Sequence, residues 1–492
     1  MRGKQELAFW GFGIPAAGAV GFAATVWGLW ALIVVAVAVT ALLATLLWRS
    51  AEHPAGPPAA PNWVLIAAPT LIAAASIGLA VGAAATALLA VMAFWPRGGP
   101  GPLRLTWGCM VLPAAALIVA VRSNSDDAEY RMVYFAVICA VIFRAVSVSK
   151  SKVSAMVSLA DGVGLFAAVS VALWLAGVGG GYQRTSGLWN SITGGQRIIF
   201  PLSNSLTVTP ALAAVFLAAA IPLLIQYRRG RWIRLVFALS AVAVCVLADS
   251  RSSLIAAVIV GLCVTLIPRA FRWAAPAAVA VTLLIAFLYS WSQAAILWAL
   301  ETASSFAPWL ARPTLRRRDY IWDRAIEHYV ERIDWVHQMF GYGAYGQAES
   351  GAVRYYWSRE YGGVGNVEFA TPHNSMLQLL FDGGWVTAGI LLVVAVLAAR
   401  TLARSGSVVG VAMLVALTIV GATEVALSPG HAQPTWWVLL AVVTIAFARP
   451  TGSDPSPSDL SPASSQTAPD PHGERAHSRT PHVARSGRPA SR

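Results

Sequence analysis

Long apolar blocks, separated by short polar connections, run along most of the chain. The blocks are about 17–25 residues long, the length that a helix needs to cross about 30 Å of hydrocarbon. They predict an all-α polytopic membrane protein with about fourteen transmembrane helices. The predicted spans are 7–25, 27–48, 62–78, 80–96, 104–121, 132–149, 153–177, 199–226, 233–249, 252–268, 273–291, 384–400, 407–426 and 433–448.

The apolar run 62–96 could form one span or two, because it is interrupted only at Gly78 and Gly82. Charge decides between them, since short cytoplasmic connections are rich in lysine and arginine. With two spans there and the N-terminus inside, every short cytoplasmic connection is basic; these connections hold Arg2, Lys4, Arg49, Arg97, Arg104, Lys150, Lys152, Arg228, Arg229, Arg231, Arg234, Arg269, Arg272, Arg400 and Arg404. A single span would put the later basic connections outside. We therefore predict two spans, with both termini cytoplasmic.

Residues 1–448 form the predicted transmembrane domain, and two hydrophilic segments stand apart from its spans. The large loop 292–373 is predicted on the extracytoplasmic side. The tail 449–492 is predicted in the cytoplasm. Because the tail is rich in proline, serine, aspartate and arginine and has few large apolar residues, it cannot bury a core and is predicted to be disordered.

The composition agrees with a membrane protein. Hydrophobic residues make up 57% of the chain and charged residues 12%, too little charge to cover the surface of a soluble domain. The net charge of +13 would suggest nucleic acid in a soluble protein. Here the basic residues follow the cytoplasmic connections, so we expect the lipid bilayer as partner and no nucleic acid.

The outer loop contains an amphipathic helical pattern at 320–333. One face of this helix collects Ile321, Ala325, Tyr329 and Ile333. Such a helix could lie on the membrane surface or cap the bundle. The loop also carries Trp309, Trp322, Trp335 and Trp357. These rings suit either the headgroup level of the bilayer or the flat faces of sugar rings.

His373 follows Thr371 and Pro372, which have the chemistry of a helix N-cap and a first helical residue. The pattern places His373 in the first turn of a helix, where the helix dipole disfavours a protonated imidazole. A neutral histidine facing water is a candidate general base, and the same helix end can bind an anion. The alternative is that His373 only happens to begin a helix.

Two arginines are predicted at the same outer face. Arg251 lies between two spans that have almost no connecting loop, and Arg197 lies at another span boundary. A guanidinium suits pyrophosphate because its planar fork donates parallel charge-assisted hydrogen bonds. In the structural alternative, Arg251 pairs with Asp249 and Arg197 snorkels to the interface. The other intramembrane charges, Arg144, Asp161 and Glu424, form no pattern, although Asp161 and Arg144 could pair.

Several motifs occur in a shared order. His373-Asn374 is followed after nine residues by Gly384 and after two more by Thr387. Further motifs are 249–253 (Asp-Ser-Arg-Ser-Ser), Arg197 with Phe200 and Asn204, 318–322 (Arg-Asp-Tyr-Ile-Trp) and 341–343 (Gly-Tyr-Gly). Together they resemble the O-antigen ligase and polymerase superfamily of bacterial polysaccharide assembly. The resemblance covers a core at about 190–400 by motif and the whole chain by hydropathy.

This resemblance implies a GT-C-like fold in the bacterial cytoplasmic membrane. It implies a donor glycan on undecaprenyl pyrophosphate and an acceptor hydroxyl on a glycan or lipid. His373 would be the base, and Arg251 and Arg197 would hold the pyrophosphate. Arg318, Trp322 and Asn374 are the candidate substrate-binding residues. The transfer would be inverting and would use no metal or other cofactor.

Other functions stay open from the sequence. A polymerase would use a second lipid-linked repeat as acceptor, with nearly the same chemistry as a ligase. A flippase or transporter of a lipid-linked glycan would show repeats, broken helices and charges at mid-bilayer. A scaffold protein of an assembly complex would need none of the aligned histidine and arginine positions.

Overall fold

The fold is helical. The computed structural model describes residues 61–76, 79–95, 102–123, 128–178, 180–184, 196–203, 205–227, 230–292, 318–357, 370–431 and 433–451. Most of them are helical, with two short antiparallel β pairings, which confirms the predicted helical class. The predicted spans 7–25 and 27–48, and the predicted tail after its first residues, lie outside the described residues.

The helices follow the order of the predicted spans. The elements are α1 (Trp63–Ala73, extended by a 3-10 turn at Ala74–Ser76), α2 (Leu79–Phe94), β1 (Leu103–Arg104), α3 (Val111–Arg122, preceded by a 3-10 turn at Trp107–Met110), α4 (Ala128–Ser147), α5 (Lys152–Leu175), β2 (Gly181–Arg184), β3 (Gln196–Ile199), α6 (Val208–Gln226), α7 (Arg231–Leu247), α8 (Arg251–Leu266), α9 (Pro268–Leu283), α10 (Ile285–Ser292), α11 (Arg318–Arg332), α12 (Trp335–Phe340), α13 (Gly346–Glu349), α14 (Ala352–Trp357), α15 (Ser375–Arg404), α16 (Val408–Thr423), a 3-10 turn at Pro429–His431, α17 (Pro434–Phe447) and β4 (Arg449–Pro450).

Three of the described helices are long and apolar enough to cross a membrane, by length and composition: α5, α6 and α15. Helices α9 and α10, which meet at a bend of 66°, add a fourth if they form one broken span. Helices also occupy the positions of the remaining predicted spans from 62–78 onward. The membrane character of the chain follows from these apolar helices, whereas the number fourteen stays a prediction.

The apolar run 62–96 forms two helices that pack against each other. A side chain at Gly82 would lie 2.8 Å from the Cα atom of Ala75, so this glycine allows α1 and α2 to approach closely. Asn62 begins α1, and its side chain accepts hydrogen bonds from two backbone amides of the first turn. At the other end of α1, the Ser76 hydroxyl donates to the Leu202 carbonyl at 2.6 Å. The division that the charge pattern required is therefore present in the fold.

One end of the bundle collects several of the residues predicted to be cytoplasmic. Strand β1 pairs with β4, which joins residues 103–104 to residues 449–450 across the sequence. Beside this pair, the Lys152 ammonium donates to the Ala446 carbonyl at 2.8 Å. Arg449 and Pro450, the first residues of the predicted tail, thus still belong to the folded part.

The predicted pairing of Asp161 with Arg144 is wrong. Asp161 accepts two hydrogen bonds from the Arg234 guanidinium, at 2.7 and 2.8 Å. Arg234 lies near the start of α7, which packs directly against α5. Arg144 had been expected as the partner because it lies on the span next to Asp161 in the sequence. A two-pronged contact of this kind satisfies both buried charges.

The described part of the outer loop caps the bundle. Ile321, Ala325 and Tyr329 of α11, and Ile333 directly after it, are buried, as the periodicity predicted. The Tyr329 ring packs edge-on against the rings of Phe381 and Trp385, with ring centroids 5.5 and 5.8 Å apart. Of the two predicted positions for this helix, the structure therefore shows the one against α15.

Candidate functional site

His373 lies in a turn just before α15, and the predicted start of this helix is wrong. The helix begins at Ser375, and its N-cap is Asn374 instead of Thr371. The Asn374 side-chain oxygen accepts from the amides of Met376 and Leu377 at 2.9 and 3.0 Å. His373 has a φ of +49°, a left-handed conformation that costs a residue other than glycine about 1–3 kcal/mol.

Two buried side chains hold the turn at His373. The Trp322 indole donates to the carbonyl of Pro372 at 3.1 Å, and the Asn374 amide donates to the carbonyl of Ala422 at 2.9 Å. Trp322 is 2% exposed and Asn374 is fully buried. Both residues were expected to bind substrate. The Trp322 contact holds the backbone before His373, and the Asn374 contact ties the residue after it to the segment that precedes Glu424, so we assign both residues the positioning of His373.

Glu424 is the partner of His373 and the residue that sequence reasoning missed. Its carboxylate accepts from the His373 Nδ1 atom at 3.2 Å and from the Arg318 guanidinium at 2.6 Å. The carboxylate side chain is 13% exposed, while the imidazole is 33% exposed and can reach solvent. The available sequence signal was weak: a single acidic residue in an apolar segment, at the outer end of a predicted span.

The surroundings of Glu424 keep it ionised. Glu424 is the first residue beyond the end of α16 and lies outside the helix. Burial raises its pKa, but the hydrogen bond from His373 and the charges of His373, Arg318 and Arg197 together hold the pKa below its ordinary value. A charged carboxylate facing Nδ1 favours the tautomer that carries the proton there. The Nε2 atom of His373 is then a proton acceptor.

Arg197 braces the turn that leads into α8. From β3, its guanidinium donates to the Ala248 carbonyl at 2.9 Å and to the Asp249 carbonyl at 3.5 Å. This turn ends α7 with Asp249 at a φ of +49°, a position that usually holds glycine. Because the Arg197 charge also acts on Glu424, the turn before α8 and the His373 pair belong to one electrostatic environment.

Arg251 is the first residue of α8, as predicted from its position between two spans. Its side chain lies outside the described part of the structure. Its backbone follows Asp249 by two residues and therefore begins beside the turn that Arg197 contacts. The structure thus brings together His373, Arg318 and Arg197 around Glu424, and it starts the Arg251 helix next to them. Within the described ranges, no cluster of three or more histidine, cysteine or acidic residues is arranged to hold a metal ion.

A buried carboxylate fixes the loop to α15 below the His373 turn. Asp382 accepts hydrogen bonds from the Gly346 amide at 2.9 Å, from the Gln378 amide at 2.8 Å and from the Ser428 hydroxyl. The backbone of the loop comes so close here that a side chain at Gly341, whose φ is +70°, would lie 2.4 Å from the Asp382 backbone. Two residues after Asp382, Gly384 departs from helical geometry and bends α15.

Comparisons with known proteins give one match. Residues 236–393 match the family model Wzy_C, described as O-Antigen ligase. This segment runs from α7 into α15 and includes Arg251, Arg318 and His373, whereas Arg197 and Glu424 lie outside it. No curated protein and no solved structure matches the chain.

Proposed function

From the match of residues 236–393 to the O-antigen ligase family model, we propose that this protein is a glycosyltransferase of the ligase type. It transfers a glycan from an undecaprenyl-pyrophosphate donor to an acceptor hydroxyl. The reaction takes place on the extracytoplasmic side of the bacterial cytoplasmic membrane, the side on which the charge pattern predicts the loop 292–373. The His373–Glu424 pair is the observation that carries this proposal.

In the proposed mechanism, His373 acts as general base. Its Nε2 atom takes the proton of the acceptor hydroxyl while the oxygen attacks the anomeric carbon of the donor sugar. The new C–O bond forms as the bond to the pyrophosphate oxygen breaks, and the pyrophosphate leaves with the electron pair. Attack from the opposite face inverts the anomeric configuration. Glu424 keeps the imidazole in the correct tautomer and stabilises the imidazolium that forms.

The arginines divide their roles. Arg251, at the N-terminus of α8, binds the pyrophosphate together with the backbone amides of the first turn. Arg197 holds the preceding turn in place and adds positive charge for the leaving group. Arg318 pairs with Glu424, so its first role is to keep that carboxylate ionised.

A polymerase remains the nearest alternative, because it differs in the acceptor and shares this chemistry. A flippase would instead need polar groups along a path through the bilayer. The described charges give that alternative little support, since the buried pair Arg234–Asp161 joins two helices at the bundle end opposite His373.

The decisive experiment uses the full chain in lipid nanodiscs with a lipid-linked oligosaccharide extracted from the source membranes and no energy source. We expect product from the wild type and a loss of about 10²–10⁴-fold in His373→Ala, the usual contribution of a general base. His337→Ala is the matched control, because this histidine also pairs with a carboxylate in the loop but lies outside the site. Undiminished transfer by His373→Ala would remove His373 from the mechanism, and movement of the lipid without product would favour the flippase.

A further inference from the structure

Three consecutive residues at the start of α15 bind the chain at the point where α16 ends. The His373 imidazole contacts the Glu424 carboxylate, and the Asn374 amide donates to the Ala422 carbonyl at 2.9 Å. Ser375, the next residue, binds the backbone of Glu424 and of the residues that follow it. The candidate base and its partner are therefore joined by more than the contact between their own side chains.

The Ser375 hydroxyl is buried and uses its full capacity for hydrogen bonds. It donates to the Glu424 carbonyl at 2.8 Å, and it accepts from the amides of Ala426 and Leu427 at 3.0 and 3.1 Å. A hydroxyl has one proton to donate and two lone pairs to accept with. The side chain has no exposed surface, so water cannot replace these partners. One side chain thus fixes a tight stretch of backbone that begins at Glu424.

Glu424 depends on such a contact because it has left the helix. Helix α16 ends at Thr423, and Glu424 has an extended backbone with φ −145° and ψ 159°. Helical hydrogen bonds do not direct the chain beyond a helix end. The Glu424 carbonyl also accepts from the Ala426 amide at 3.0 Å, but that bond closes a turn within the segment itself. The bond from Ser375 is the one that relates this carbonyl to α15.

The contact between the base and its partner tolerates little displacement. The His373 Nδ1 atom and the Glu424 carboxylate are 3.2 Å apart, at the upper end of the range for such a bond. A further shift of ~0.5 Å would take the two atoms beyond hydrogen-bonding distance. Ser375 follows His373 by two residues and binds the backbone of Glu424, so it sets both ends of this contact relative to each other.

Two other buried hydroxyls hold the same segment further along the chain. Thr435 donates to the Ala426 carbonyl, and Ser428 donates to the Asp382 carboxylate. These bonds keep the segment in the bundle, but neither of them reaches Glu424. Because they remain when Ser375 is shortened, we expect a variant without the Ser375 hydroxyl to fold.

We propose that Ser375 is a positioning residue, which holds the Glu424 carboxylate at the place where it fixes the tautomer of His373. The proposal rests on the proposed transferase function and adds to it a residue that acts through Glu424. Ser375 is fully buried and takes no part in binding substrate. Without its hydroxyl, the Glu424 carbonyl loses its link to α15, and the carboxylate moves away from Nδ1.

The first test measures kcat and KM of Ser375→Ala, using the full chain in nanodiscs with the lipid-linked oligosaccharide extracted from the source membranes. We expect kcat to fall about 10–100-fold, the usual result of a small misplacement in a catalytic site, and KM to stay unchanged. Ser375→Cys keeps the shape and the weaker hydrogen bonds of a thiol, so its kcat should lie between those of serine and alanine. Wild-type kcat in Ser375→Ala, or an effect on KM alone, would overturn the proposal.

A second comparison shows whether the effect runs through Glu424. In Glu424→Gln the carboxylate is already lost, so adding Ser375→Ala should lower kcat by no more than about two-fold. Independent effects would instead multiply. If Ser375→Ala lowers kcat equally in both backgrounds, the hydroxyl does not act through the carboxylate and the proposal is wrong.

Ser158→Ala is the matched control for the loss of a buried hydroxyl. Ser158 is 2% exposed and accepts from the Asn62 amide at 2.8 Å, at the end of the bundle opposite His373. This variant also leaves a buried backbone group without its partner, so its melting temperature should fall while kcat stays at the wild-type value. A kcat that falls with the melting temperature in both serine variants would contradict a specific role of Ser375.

If the wild type shows no transfer, the proposed function fails and the position of the carboxylate is measured directly. Diethyl pyrocarbonate acylates a neutral imidazole nitrogen, and mass spectrometry of the peptides compares His373 with His337 as the internal reference. We expect Ser375→Ala to change the rate at His373 in the same direction as Glu424→Gln, and Ser158→Ala to leave it unchanged. An unchanged rate in Ser375→Ala, or a change in the opposite direction, would overturn the proposal.

Discussion

Two histidine–carboxylate pairs lie in and beside the outer loop, and they differ in the carboxylate. His337 pairs with Asp334, and His373 pairs with Glu424. The two imidazoles are equally exposed, at 32% and 33%. Asp334, however, is 58% exposed, whereas Glu424 is 13% exposed and also binds Arg318.

This difference shows what distinguishes a histidine–carboxylate contact in a site from one that only stabilises the local fold. Asp334 and His337 are three residues apart, and Asp334 is also the N-cap of α12, so this pair stabilises a local turn. His373 and Glu424 are 51 residues apart and meet only in the folded chain. A buried, charged carboxylate can hold one tautomer of its histidine, whereas an exposed carboxylate competes with water for that role.

The largest difference in transfer rate between the two pairs should appear when each carboxylate is replaced by an amide. We expect Glu424→Gln to lower kcat about 10²–10⁴-fold, because an amide neither fixes the tautomer nor stabilises the imidazolium. Asp334→Asn should leave transfer within about two-fold, since surface ion pairs contribute little. Transfer assays on both purified variants make this comparison. Equal effects of the two exchanges would contradict the distinction drawn between the pairs.

Loss of the arginine beside Glu424 should lower transfer more than loss of an arginine from an exposed ion pair of α11. Arg318→Gln removes the partner of Glu424, and we expect transfer to fall about 10–100-fold because a buried carboxylate without its cation protonates more readily. Arg324→Gln, which removes an exposed partner of Glu327, should leave transfer unchanged. The comparison is measured from kcat at fixed pH. If Arg324→Gln were the more damaging variant, the outer face of α11 would have to be part of the site.

The two N-caps provide a smaller contrast in stability. Asn374→Ala removes the cap of α15 and leaves the Ala422 carbonyl without its donor, so we expect a loss of about 2 kcal/mol. Asp334→Ala removes the cap of the six-residue helix α12 and should shift the melting temperature less. Melting curves in detergent test the order of the two shifts. The reverse order would show that the His373 turn is held by other contacts.

The smallest effect concerns pH. The pKa values of Glu424 and Asp334 are both below their ordinary values, Glu424 because of the hydrogen bond from His373 and its charged neighbours, which outweigh burial, and Asp334 because of the hydrogen bond with His337. Their contributions to stability are therefore present above about pH 4.5 and 4, the ordinary values, and are lost as the pH falls through the folded values. Melting temperatures measured from pH 7 to pH 3 should fall less steeply in Glu424→Gln than in the wild type. An unchanged slope would mean that the pKa of Glu424 is the same in the folded and the unfolded protein.

The sequence predicted the parts of this protein that depend on local pattern. The periodicity of α11 identified its buried face, and the charge pattern required the two helices α1 and α2 in the apolar run 62–96. Arg251 was singled out because a positively charged residue is rare between two spans at the outer face, whereas His373 was singled out by its place at a predicted helix start and Arg318 by the family resemblance.

The rest depended on contacts between distant parts of the chain. Glu424 looked like an isolated intramembrane charge, because its partners lie 51 and 106 residues away. Arg234 was read only as a basic residue of a cytoplasmic connection, although it reaches Asp161 in α5. The helix start was misplaced for another reason: Thr371 and Asn374 are both good caps, and the contacts that hold the turn at the second, from Trp322 and to Ala422, come from distant parts of the chain.

The backbone conformation at this end of the bundle has a consequence for engineering. Among the described residues other than glycine, Asp249, Tyr345 and His373 have a positive φ. Glycine adopts a positive φ without strain, so a search for variants with a higher free energy of unfolding would test these positions first. At Asp249 and Tyr345 the exchange would relieve the backbone but would also remove the contacts that these residues make. At His373 the same exchange would relieve the backbone conformation and would remove the proposed base. Selection for stability and selection for activity would therefore favour different residues at that position.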